Sequence, residues 1–122
     1  MALATGMLSL ADGSDMMGSL RNPAGWNNVY GMRPSWGLVP SEPLGDAFLH
    51  QLATNGPMAR CPRDLAALLD TMAGPDRRQP HGTSQPPCLP QIDGHLAGPR
   101  IAWLGDWSGA LPMEDGVLAL CA

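Results

Sequence analysis

The chain has 122 residues, 44% of them hydrophobic but only 5% aromatic, and carries a formal net charge of −4. That length admits one small domain spanning residues 1–122, and the acidic balance, with no basic stripe interleaved with aromatics, excludes nucleic acid as the expected partner. All seven basic residues are arginine, so any chemistry that needs a lysine has to find it outside these residues.

Fifteen glycines and thirteen prolines predict short elements joined by many turns. Met7 to Ala11 reads as a buried strand ending at an Asp12-Gly13 turn. A loop from Gly13 to Gly18 follows, then a short helix with Asn22 as cap and Pro23-Ala24 in its first turn. Val29 to Met32 suits a second short strand. Leu38 to Leu44, with two prolines, is expected to be extended, and Asp46 to Leu52 short and helical, stopped by Gly56-Pro57. The clearest helix runs from Pro62 to Ala73, where Leu65, Leu68, Leu69 and Met72 recur on one face. Residues 74–99 are rich in Pro, Gly, Gln and Ser without periodicity, and predict an exposed connection. Arg100 to Leu104 reads as a strand. Met113 onward reads as a helix with Glu114 and Asp115 in its first turn. The alternation predicts an α/β fold, part of a mixed β-sheet flanked by helices.

The chain starts inside an apolar stretch and stops at Val117–Ala122 in what reads as mid-helix. This is the pattern of a segment of something longer, incomplete at both ends. Exposed docking surface and self-association are therefore expected. Cys61, Cys88 and Cys121 form no C-x-x-C pair and the histidines are isolated, so no metal is expected and free thiols in a reducing cytoplasm are. No positive region precedes the first apolar stretch and no apolar run is long enough to span a bilayer, so neither secretion nor a membrane is expected.

Chemistry concentrates in residues 12–21, the loop beyond the first strand, where α/β folds gather their sites. Gly13 and Gly18 have the spacing of a phosphate loop, but Ser19 stands where that loop needs lysine. A plain glycine turn with Ser and Asp capping backbone groups is one reading. A nucleophile loop is another: a serine attacking an amide needs an exposed hydroxyl beside backbone N–H groups that hold the developing oxyanion. The G-x-S-x-G elbow is not present, so the residues alone leave both readings open.

The run Gly13-Ser14-Asp15-Met16-Met17-Gly18-Ser19-Leu20-Arg21-Asn22-Pro23-Ala24-Gly25, followed by Gly31-Met32-Arg33-Pro34-Ser35-Trp36-Gly37, resembles the amidase signature, whose typical form is G-T-D-T-G-G-S-I-R-x-P-A-A and then G-L-K-P-T-x-G. Gly56-Pro57-Met58-Ala59-Arg60 and the Asp64–Gly74 helix resemble the segment after the signature, and Arg100 to Pro112 resembles a strand and turn of standalone bacterial amidases. The resemblance implies a hydrolase that cleaves a C–N amide bond of a small-molecule substrate through a serine acyl-enzyme, without metal or organic cofactor. It implies Ser19 as nucleophile, the backbone N–H groups of Met16, Met17, Gly18 and Ser19 as the oxyanion stretch, and Asp15 with Arg21 as the pair that holds the loop. Met17 replaces the first glycine of the usual pair, and Cys61 stands where Thr or Ser often precedes the helix, weakening an N-cap.

The resemblance also implies a proton relay through a second serine to a lysine, both from a stretch preceding the signature. By that reading these residues hold one triad member and are inactive alone. Two alternatives stand beside it: an amidotransferase subunit of the same family, and a non-catalytic truncated remnant. His50, His81 and His95, as substitute bases, read better as surface or loop residues, and Trp26, Trp36, Trp103 and Trp107 as packing.

Overall fold

The computed structural model describes residues 1–41, 48, 51–95 and 97–121. Strands β1 (Leu10–Asp15), β2 (Tyr30–Gly31) and β3 (Thr54–Ala59) form a sheet in the order β1-β3-β2, with β3 antiparallel to both neighbours. Helices α1 (Arg21–Trp26), α2 (Pro62–Met72) and α3 (Val117–Cys121) complete the described elements with one 3-10 turn at Leu89–Gln91. The α/β character expected from the sequence is present.

β1 starts and ends later than expected. It runs straight through Asp12 and Gly13 because Gly13 pairs with Gly56 on β3. β3 itself was hidden by Gly56-Pro57, a pair that normally punctuates. Proline donates nothing to a ladder, but the Pro57 carbonyl accepts from Met32 N at 3.1 Å. The two paired glycines have a packing purpose. A Cβ at Gly13 would lie 3.1 Å from Leu20 Cδ2, and one at Gly56 would lie 2.8 Å from Leu20 Cδ1. Leu20, fully buried, is thus a peg seated over this bare patch of sheet. It anchors the loop that precedes it.

Gly56→Ala should unseat that peg, since its Cβ would also collide with the Met32 carbonyl and with Pro34. Overpacking of this kind costs about 1–3 kcal/mol. A lowered urea midpoint with unchanged slope is the expected result.

α1 differs from expectation at its start. Leu20, not Asn22, precedes the helix, and no side chain caps it. Instead Asn22 N donates to Gly18 O at 2.8 Å, so the loop leads directly into the helix. Pro23 is tolerated because the early N–H groups of a helix lack intrahelical partners.

α2 matches its expected range to within one residue. Cys61 does cap it, its Sγ accepting from Asp64 N at 3.4 Å, and Asp64 sits at the positive end of the dipole. Leu69 is buried with Leu38 and Val39, and Met72, Ala73 and Cys88 pack against them. The 74–99 connection is largely exposed and tied at intervals. Asp70 accepts from Cys88 N and Leu89 N at 2.7 and 2.8 Å, which starts the 3-10 turn and lowers the Asp70 pKa.

Two expectations fail near the end of the chain. Residues 100–104 form no strand, and Ile101 is 86% exposed. The last helix starts at Val117 rather than Met113, because Gly116 at φ +87° breaks helical geometry just before it; Glu114 and Asp115 therefore precede the helix. The expected helix over 46–52 and the end of the 38–44 extended stretch fall largely outside the described residues. No described helix is long and apolar enough to cross a membrane.

Candidate active site

The site is built on Asp15, the last residue of β1. Its side chain is fully buried. A buried carboxylate is costly unless every lone pair finds a donor, and here all do. Oδ1 accepts from Gly18 N at 2.6 Å and Oδ2 from Leu20 N at 3.2 Å. Arg21 grips both oxygens side-on, Nε to Oδ2 at 3.0 Å and Nη2 to Oδ1 at 3.1 Å, the fork geometry that makes guanidinium pairs strong. Arg33 adds a further bond from Nη1 to Oδ1 at 3.1 Å.

The Arg21 guanidinium foremost, then the two backbone N–H groups and Arg33, outweigh burial and hold the Asp15 carboxyl far below the usual carboxylate range. Its folded-state pKa is depressed, so its stabilisation is present above the unfolded value near 3.9 and is lost as pH falls toward the folded value. Stability measured by urea titration should therefore be flat from neutral pH to about 5 and fall progressively below about 4. In Asp15→Asn that acid-side slope should shrink; an unchanged slope would mean another carboxylate governs it.

The loop that Asp15 holds is residues 16–20. Gly18 adopts φ +121°, and a Cβ there would lie 2.7 Å from Asn22 Nδ2. Only glycine fits. Met17 does not have positive φ, so the methionine in place of a glycine is unstrained; its side chain is 82% exposed. Ser19 is exposed between buried Gly18 and buried Leu20. Among the described residues its hydroxyl has no hydrogen-bond partner, and the N–H groups of Met16, Met17 and Ser19 have none either. The expected donor set changes in one respect. The Gly18 N–H is already committed to Asp15.

Arg33 is the residue that sequence reasoning passes over. It lies just after β2, in Gly31-Met32-Arg33-Pro34, and its side chain reaches back to the end of β1. Its place inside the second motif block was the available signal. Neither described histidine is hydrogen-bonded to Ser19. His81 is an exposed loop residue packed against Trp36 at 5.1 Å between ring centroids, His95 is exposed, and His50 lies outside the described residues. Trp26, Trp103 and Trp107 are exposed rather than packed; Trp36 alone of the four is partly buried. Among the described residues no three His, Cys, Asp or Glu side chains cluster as metal ligands.

A buried aspartate at a strand end, gripping the glycine-serine loop before a short helix, is an arrangement embedded here in a fold shared with amidase-signature enzymes. The structure superposes on a bacterial aryl acylamidase of that class with a TM-score of 0.69 at 34% identity, covering 75% of this chain and 19% of that one. The sequence profile of the amidase family matches residues 1–117, and the chain belongs to that family. Among its relatives, an acylamidase of Rhodococcus erythropolis is 35% identical over 122 residues, covering 98% of this chain. A glutamyl-tRNA(Gln) amidotransferase subunit of Thermus thermophilus is 45% identical over 101 residues, covering 82%. The chain spans 25% and 21% of the length of these two relatives.

Proposed function

We propose that these residues supply the nucleophile loop of an amidase that cleaves a carbon–nitrogen bond of a small-molecule amide, with Ser19 as the attacking group. The observation that carries this reading is the exposed Ser19 hydroxyl, without a hydrogen-bond partner among the described residues, on a loop locked from beneath by buried Asp15. In the proposed reaction Ser19 Oγ adds to the amide carbonyl carbon as its proton passes to a base. The N–H groups of Met16, Met17 and Ser19 receive the oxyanion. The C–N bond breaks as the leaving nitrogen takes a proton. Water then adds to the resulting ester and releases the acid, returning the proton to Ser19.

No lysine exists among the 122 residues, so the base is proposed to come from elsewhere in the whole protein, as the lysine and second serine of the family relay. Asp15 and Arg21 support the loop and do not react. A second reading, amide transfer within a multi-subunit complex, draws on the 45% identity to the Thermus thermophilus protein; co-purification of fixed-ratio partner subunits would favour it. Self-association of the chain by itself is proposed from its many exposed apolar side chains, Met7, Trp26 and Leu120 among them.

The test is a hybrid in which residues 1–122 replace the matching quarter of the Rhodococcus erythropolis acylamidase. Amide turnover by the hybrid, absent in its Ser19→Ala form, supports the reading. Equal turnover in both forms rejects it.

A further inference from the structure

Arg33 does more than neutralise Asp15. Its Nη1 donates to the Asp15 main-chain carbonyl at 2.7 Å and to the Met16 carbonyl at 3.2 Å, as well as to Asp15 Oδ1. Its Nη2 donates to Leu52 O at 2.7 Å, in the stretch entering β3. One guanidinium therefore holds two successive carbonyls of the loop. A trans peptide is planar, and its C=O and the following N–H point in opposite directions. Drawing the carbonyls of Asp15 and Met16 toward Arg33 turns the N–H groups of Met16 and Met17 away from it. Those two N–H groups are unpartnered among the described residues. The neighbouring Gly18 N–H is spent on Asp15.

We propose that Arg33 is a positioning residue that clamps the carbonyls of Asp15 and Met16 and so presents the Met16 and Met17 amides as oxyanion donors. The proposal rests on the Ser19 reading. It makes a chemical distinction between the two arginines on Asp15. Among the described residues Arg21 hydrogen-bonds the carboxylate and no main-chain carbonyl; Arg33 reaches the peptide groups whose orientation catalysis would use. It also explains a planar fork at a position where the motif typically has lysine: the guanidinium bonds the loop carbonyls through one nitrogen and Leu52 through the other, which a single ammonium does less well.

The experiment has two readouts on the same variants. In the 122-residue chain, magic-angle-spinning NMR, which tolerates association, reads the carbonyl 13C shifts of Asp15 and Met16. Arg33→Met should move both upfield, Arg33→Lys should restore part of the shift, and Arg21→Met should leave the Met16 carbonyl in place. In the acylamidase hybrid, the rate of fluorophosphonate labelling at Ser19 should fall on the order of 100-fold in Arg33→Met, the scale of losing an oxyanion donor, with partial recovery in Arg33→Lys. Unmoved carbonyl shifts overturn the clamp. Moved shifts with an unchanged labelling rate overturn its catalytic use. An unlabelled parent hybrid with the expected shifts instead brings down the Ser19 reading, leaving Arg33 a structural clamp only.

Discussion

Asp15→Ala is expected to release the whole loop from Met16 to Arg21. The substitution removes the acceptor of Gly18 N–H, of Leu20 N–H and of two guanidinium groups at once. It leaves two buried N–H groups unpaired and two cations facing each other across the vacated site. Removing one partner from a buried charge network is among the most damaging single changes a protein can suffer. The thermal midpoint should drop on the order of 10 °C for a chain of this size, and the amides of Gly18 and Leu20 should lose their protection against hydrogen exchange. Asp15→Asn should be intermediate: it keeps the shape, but one acceptor oxygen becomes an NH2 group pointed at donors. Protection of Gly18 and Leu20 that survives Asp15→Ala would show that the Leu20 peg, not the carboxylate, holds the loop.

Much of this arrangement was legible in the sequence, for identifiable reasons. α2 was readable because its apolar period, its Pro62 start and its Gly74 stop all agree. The Asp15–Arg21 contact was readable because both residues sit at set positions in a long ordered motif. β3 was not, because Gly56-Pro57 imitates a turn. The pairing that overrides this preference is a tertiary fact: Gly56 is needed bare so that Leu20 can sit over it. The strand expected at residues 100–104 rested on an apolar run and on a resemblance; in the structure Ile101, Trp103 and Leu104 are exposed and no ladder forms there. The commitment of Gly18 N–H to Asp15, and the reach of Arg33 across eighteen residues to the same carboxylate, are products of the folded chain. No local period encodes them; for Arg33 its place in the second motif block was the available signal.

The second large effect concerns activity. A serine hydroxyl at neutral pH is almost wholly protonated and needs an adjacent base. These 122 residues contain no lysine, and neither His81 nor His95 is hydrogen-bonded to Ser19. The chain by itself should therefore show no measurable amide turnover. A formed oxyanion site alone can retain catalysis on the order of 10³-fold over water in a complete serine hydrolase. That residue depends on a preorganised substrate pocket, and this chain spans a quarter of its acylamidase relative. Turnover should appear only when the base is restored, and Ser19→Ala should remove it again.

The most direct measurement is peptide mapping of a fluorophosphonate adduct, made in parallel on the 122-residue chain, on the acylamidase hybrid and on the Ser19→Ala hybrid. The account predicts a single adduct on Ser19 in the hybrid, none in the Ser19→Ala form, and none formed rapidly in the chain alone. An adduct on another residue, or hybrid turnover that survives Ser19→Ala, would contradict it.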